Sequence, residues 1–259
     1  MFRPSAWHGV IMEEFRELAE RNLVALKNNI YPGRGIIIGM TPDSRHMIQV
    51  YWIMGRSENS RNRIFVIENG FVKTEAHDPA KVKDPTLIIY YAAKHHGGVH
   101  IVTNGVQTDA IYTAITRGDS NAHERVLESV LDEWKFEPDA PNFTPRISGI
   151  IDLNNPKAAY QLSILKSIEH DPNYCVRQYY SYEKAIPGLG HCLHTYAGDG
   201  DPLPPFSGDC YLVPLWDGIE EVERHYCDAL NVENRISMLV KFIKVKNGGS
   251  VIRIVNKNK

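Results

Sequence analysis

Cysteine is scarce in this chain: Cys175, Cys192, Cys210 and Cys227 lie far apart, with no CxxC pair. That excludes a zinc-ribbon spacing and argues against a disulfide scaffold, so free thiols in a reducing compartment are the expectation. Long apolar runs are also missing. Met1 to Glu20 carries acidic side chains where a secretion signal would need an apolar stretch, which points to a cytoplasmic protein. Neither sign of charge is in excess, because 29 Lys and Arg stand against 31 Asp and Glu for a net charge of −2. No global field therefore recruits nucleic acid or an anionic membrane, and any anionic ligand must be met by a local cluster of positive groups. GxGxxG and GxxxxGK(S/T) are absent, which disfavours dinucleotide and P-loop chemistry. His95-His96 has no carboxylate at metal-site spacing, so no metal is expected, and nothing in the motifs demands a cofactor.

What is present reads as an ordinary globular chain of 259 residues, 43% hydrophobic and 23% charged, long enough for a sizeable core. Apolar residues at Ile11, Phe15, Leu18, Leu23 and Leu26 predict an amphipathic helix over 10–29, with Glu13 and Glu14 early and Lys27 late. Gly35 to Gly39 and Met47 to Met54 predict a hairpin across Thr41-Pro42-Asp43-Ser44. Arg63 to Glu68 predicts a strand that turns at Asn69-Gly70 into Phe71-Val72. Thr86 to Lys94 fits strand or helix. Val99 to Thr103 reads as a strand before a helical region that reaches Trp134, broken near Gly118-Asp119. Pro138, Pro141 and Pro145 separate the halves. A second hairpin is expected around Asn154-Asn155-Pro156, strands at 174–181 and 191–196, a Gly-, Pro- and Asp-rich loop at 199–208, a helix at 218–230 and a closing hairpin at 235–255. Grouped hairpins with few helices argue for an α+β fold in one domain, two antiparallel sheets face to face with helices outside.

Chemistry concentrates in two segments. Arg56-Ser57-Glu58-Asn59-Ser60-Arg61-Asn62-Arg63 follows an apolar strand; arginine forks match phosphate oxygens, and Ser57 and Asn62 add neutral groups. Arg34, at the mouth of the first strand, can approach the same sheet end. The segment reads equally as an exposed polar turn. Thr103 to Asp109 joins a strand to a helix; Asn104 offers a donor and an acceptor and Asp109 a carboxylate, or both simply serve an Asn-Gly turn and a helix cap. Tyr90 and Tyr91 read first as core aromatics.

Taken in order, Tyr31-Pro-Gly-Arg34-Gly, Gly55-Arg56-Ser57 through Ser60-Arg61-Asn62-Arg63, Asp84-Pro85, Thr103-Asn104-Gly105 through Thr108-Asp109, and Thr144-Pro145-Arg146-Ile147 resemble the archaeal-type IMP cyclohydrolase family. Thr195-Tyr196-Ala-Gly198 and Asp201 to Gly208 look like its bacterial branch. The resemblance spans 31–208, between an N-terminal helix (1–30) and a C-terminal helix and hairpin (209–259). It implies an αββα sandwich similar to the N-terminal-nucleophile hydrolases without their nucleophile, and Met1-Phe2 indeed offers no Cys, Ser or Thr. The implied reaction closes 5-formamidoimidazole-4-carboxamide ribotide (FAICAR) to IMP with loss of water, without metal or redox cofactor. The implied roles are phosphate, ribose or base contacts for Arg34, Arg56, Ser57, Arg61, Asn62, Arg63 and Arg146, orientation of the reacting amides by Asn104 and Asp109, and acid–base work by Tyr90. The expected partner is thus a small purine ribotide, with no nucleic acid or membrane; a homo-oligomer is compatible. An amide hydrolase on the same scaffold and a noncatalytic purine-ribotide binder are the competing readings.

Overall fold

Most strands of this chain are buried on both faces, which forces each sheet to be covered twice. The computed structural model describes residues 6–82, 85, 88–118 and 122–258, with side chains from residue 9 onward except those of 122–124. Asp84, Thr86 and Asp119 lie outside the described residues.

The first sheet has six antiparallel strands: β1 (Gly35–Met40), β2 (His46–Met54), β10 (Leu189–His194), β11 (Tyr211–Pro214), β12 (Arg235–Lys244) and β13 (Ser250–Asn256), in the order β11-β10-β1-β2-β12-β13. The second has seven, in sequence order: β3 (Ile64–Glu68), β4 (Phe71–Glu75), β5 (Tyr91–His96), β6 (Val99–Thr103), β7 (Arg146–Asp152), β8 (Tyr160–Ile168) and β9 (Asp171–Tyr182). Five α-helices, α1 (Ala6–Asn28), α2 (Glu58–Arg61), α3 (Gln107–Arg117), α4 (Ala122–Leu131) and α5 (Ile219–Ala229), and a short 3-10 turn (Pro79–Lys81) complete the described elements.

Strand alternation sorts the apolar residues into three layers. Ile36, Ile38, Tyr51, Ile53 and Leu239 of the first sheet meet Val102, Ile147, Leu162 and Ile164 of the second in the central core. On the far side of the first sheet, Ile37, Val50, Trp52 and Val240 pack with Leu26 of α1 and Val222 and Tyr226 of α5. Outside the second, Ile101, Ile150 and Leu165 lie under Ile111 and Ile115 of α3 and Leu127 of α4. The architecture is therefore the expected α+β sandwich, two antiparallel sheets with outer helices. No helix among the described residues is long and apolar enough to cross a membrane.

The hairpins fall where turn chemistry placed them. Asn69 and Gly70 both take positive φ (52° and 82°), the primed turn whose twist suits a two-residue connection between β3 and β4. Four details differ from the sequence reading. Helix α1 starts at Ala6, so its first turn contains no acid and Glu13 and Glu14 lie deeper in the helix. The ambiguous stretch before Lys94 resolves as strand from Tyr91, with Tyr90 just ahead of it. Strand β11 escapes periodicity because only four residues pair, behind a Pro-rich loop. Segment 55–63 contains a capped helical turn, α2.

One sheet edge is fastened to the other. The Asn256 side chain accepts from Phe65 N at 2.8 Å and donates to Phe65 O at 3.0 Å, reproducing the bonding of a strand neighbour between β13 and β3. Asn258 Nδ2 donates to Arg61 O at 2.6 Å, just ahead of β3.

Candidate functional site

The N-terminal ends of β1, β3 and β7 and the C-terminal ends of β2, β6 and β10 gather at one end of the sandwich. There a cavity of about 230 Å³ is lined by Tyr31, Arg34, Arg56, Arg63, Asp139 and Tyr196, with Gly33, Met54, Ser57, Ser60, Asn142, Thr144 and Leu203 completing the wall. Gly33 holds a φ of +76°, and a Cβ there would strike the Thr195 hydroxyl and the Tyr196 ring, so only glycine lets the chain deliver Arg34 beside them. Arg34 N then donates to Thr195 Oγ1 at 3.1 Å, and Thr195 N donates back to Arg34 O at 2.9 Å.

Sequence dictates how the second arginine arrives. Ser57 Oγ accepts from Ser60 N and Ser60 Oγ accepts from Ser57 N (3.2 and 3.0 Å), a reciprocal capping box that fixes α2 as one turn. That turn aims Ser60 O at Arg63 Nε (2.8 Å), while Met54 O accepts from Arg63 Nη2 at 3.2 Å. Arg63 is 1% exposed and its Nη1 has no partner. No carboxylate among the described residues pairs with it; burial first, then the Arg34 charge, pull its pKa below the ordinary arginine value. A buried guanidinium without an acid is costly unless an anion completes it. Arg56 lies over the Tyr31 ring at 5.1 Å and bonds Asp199 (2.5 Å) and Gly200 O (2.9 Å) of the 199–208 loop. Burial raises the Tyr31 pKa, with Arg63, Arg34 and Arg56 pulling against it.

Behind the cavity wall stands a buried carboxylate that sequence reasoning passed over. Glu137, 2% exposed, pairs with Arg34 Nη1 at 2.7 Å and approaches Arg146 Nη1 at 3.9 Å, and its Oε2 is unpartnered. Burial works against the charge on Arg34, but Glu137 overcomes it and holds the guanidinium well above its ordinary value. Arg146 also donates to Gln107 Oε1 at 3.0 Å and covers the Trp134 ring at 5.4 Å. Glu137 and Asp139 sit among prolines just ahead of Thr144-Pro145-Arg146; that proline run reads as a separator, and the signal was two acids spaced inside it. Replacing Glu137 by Gln should leave Arg34 and Arg146 without their counter-charge. We expect about 2 kcal/mol less stability and a melting temperature lower by about 4–8 °C, read by thermal unfolding.

Tyr90 OH and Tyr51 OH are 2.7 Å apart in the central core beside these arginines; burial, then Tyr90, raise Tyr51 well above the ordinary phenol value. Asn104 is spent on the scaffold: its Oδ1 accepts from Ile147 N (2.9 Å) and Gln107 Nε2 (3.0 Å), and its Nδ2 donates to Pro145 O (2.8 Å). Its backbone oxygen takes Arg34 Nη1 at 3.4 Å.

Of the residues singled out in the sequence, Arg34, Arg56, Ser57 and Arg63 line the cavity, and Tyr90, Asn104 and Arg146 stand behind it. Three are not brought there. Arg61 donates to Arg56 O and Asn234 Oδ1. Asn62 clips the Asp78 backbone with both amide atoms at 2.7 Å. Both line a separate depression. Asp109 pairs with Lys94 at 2.6 Å on α3, outside the second sheet. Accordingly, Arg61→Ala and Asp109→Ala should each leave ligand affinity at the cavity within about threefold, measured by titration.

A larger cleft of about 770 Å³ beside α1 is lined by Asn22, Leu26, Asn29, His194, Asp199 and Tyr211 among others, with no Lys or Arg, and suits an anion poorly. Among the described residues no three His, Cys, Asp or Glu side chains are grouped to hold a metal ion. Compared with known proteins, residues 31–248 match the family model described as IMP cyclohydrolase-like protein. No curated protein sequence matches the chain.

Proposed function

The chain belongs to the IMP cyclohydrolase-like family, and from that premise we propose that it closes the ring of FAICAR to give IMP and water. The observation that carries the reading is Arg63, a buried guanidinium without an acidic partner in the wall of a cavity shared with Arg34 and Arg56. The Arg56 and Arg63 forks suit the phosphate of a mononucleotide, with Arg34 at the other end, and Ser57 and Tyr31 supply neutral contacts beside them. At about 230 Å³ the cavity is below the roughly 300–1,000 Å³ usual for small-molecule sites, which suits phosphate and ribose rather than a whole nucleotide. The imidazole end then lies toward Arg34, with Glu137, Arg146 and Tyr90 beyond.

Chemically, the ring closure needs positioning above all, since both reacting groups belong to one molecule. The carboxamide nitrogen forms a bond to the formyl carbon, and one of its protons moves to the former formyl oxygen. That hydroxyl then leaves as water with the proton of the formamide nitrogen, and a C=N bond closes the pyrimidine. Arg34, fixed by Glu137 and by the Asn104 carbonyl, would steady the polarised oxygen. Tyr51, kept protonated by burial, would donate to Tyr90 and free the Tyr90 hydroxyl to carry the moving proton. Asn104 is a positioning residue in this scheme, and Arg61, Asn62 and Asp109 take no part.

The test is direct. FAICAR added to the pure folded protein should produce the ultraviolet absorbance of a hypoxanthine ring. Absence of turnover at saturating FAICAR sinks the proposal; thermal stabilisation by IMP without turnover would make the protein a purine-ribotide binder.

A further inference from the structure

A second polar cluster lies in the central layer, apart from the arginine cavity and independent of its reading. On the inner face of β2, alternation places Met47, Gln49, Tyr51 and Ile53 in a row, and Gln49 is 0% exposed. Opposite it in register on β12 stands Lys241, between Leu239 and Ile243, and it is 1% exposed. Facing them across the layer is His100 of β6, whose backbone oxygen takes Gln49 Nε2 at 3.1 Å. The His100 ring stacks on that of His95 at 5.6 Å.

These groups are polar, buried and incomplete. Gln49 Oε1 and both His100 ring nitrogens have no partner among the described residues, and the Lys241 side chain beside them is almost wholly buried. Among the described residues no acid acts on the cluster: burial alone draws Lys241 down to about 8, while burial, then Lys241 and His95, draw His100 down to about 3. His95 is lowered in the same way, by burial, Lys241 and His96. The cluster thus presents one cation, a neutral imidazole that offers one N–H and one acceptor, and an amide with a spare N–H. Buried ammonium groups are paired in folded proteins, and the missing charge here is negative.

We propose that Lys241, His100 and Gln49 form an internal site for a small monovalent inorganic anion of the halide class. The ammonium and the imidazole N–H donate to the ion, and the second amide hydrogen of Gln49 completes its shell. Located between the sheets, the ion is a structural ligand of the folded state and adds stability by mass action.

Thermal unfolding of the wild-type protein and of Lys241→Met, at pH 7 and equal ionic strength in sodium gluconate, chloride or bromide, tests this. The wild type should melt about 3–6 °C higher in saturating chloride or bromide than in gluconate, and Lys241→Met should show no such preference. Equal responses in both proteins, or no halide preference in the wild type, overturn the proposal. Should the variant fail to fold, crystals of the wild type grown in bromide decide: anomalous density within hydrogen-bonding reach of Lys241 Nζ supports the site, and its absence there refutes it.

Discussion

Arg63→Met should lower kcat/KM for FAICAR by about 10²–10⁴ while leaving the protein folded. Two charge-assisted bonds to a shielded phosphate, at about 1.5–3 kcal/mol each, account for that range. The folded state loses little in exchange. Among the described residues the Arg63 guanidinium bonds only the backbone oxygens of Ser60 and Met54, and replacing it by an apolar chain removes the cost of burying an unpaired cation. Melting temperature and turnover should therefore separate, with the first nearly unchanged and the second collapsing mainly through KM. Wild-type kcat/KM in this variant would remove the phosphate from this cavity.

The second large effect is expected at Tyr90. Tyr90→Phe removes one oxygen from the core and one hydrogen bond to Tyr51, a structural loss of about 1 kcal/mol. A proton carrier, by contrast, contributes about 10²–10⁴ in rate. We expect kcat to fall by at least about 100-fold with KM within about threefold, measured by steady-state absorbance. A fall of fivefold or less would reduce Tyr90 to a brace for Tyr51 and move the proton transfer elsewhere.

Architecture is legible in this sequence because its signals are local and repeated. Near-continuous apolar runs such as Met47 to Met54, turn pairs such as Asn69-Gly70, and hairpins grouped rather than alternating with helices all point to stacked antiparallel sheets. The arginines are legible in part. Arg34, Arg56 and Arg63 adjoin strand ends, and strand ends meet in space. Spacing cannot say which way each guanidinium turns, and the Ser57–Ser60 capping box sends Arg63 inward while Arg61 turns to Asn234. Glu137 stays hidden for the same reason, since its partners Arg34 and Arg146 are brought to it only by two different sheets. Asp109 illustrates the reverse case: a carboxylate at a strand-to-helix junction is a common catalytic placement, yet α3 turns it toward Lys94.

The Asn256 and Asn258 contacts make the end of β13 and the residues just after it a backstop for the arginine loop. Asn258 holds the carbonyl of Arg61 and Asn256 holds both backbone atoms of Phe65, so the chain on either side of Arg63 is gripped from almost two hundred residues away. A short turn that one capping box defines locally is thereby registered against the whole width of the sandwich. Sequence change along β13 then becomes a remote adjustment screw for the site, able to shift the guanidinium without touching any residue in the cavity wall.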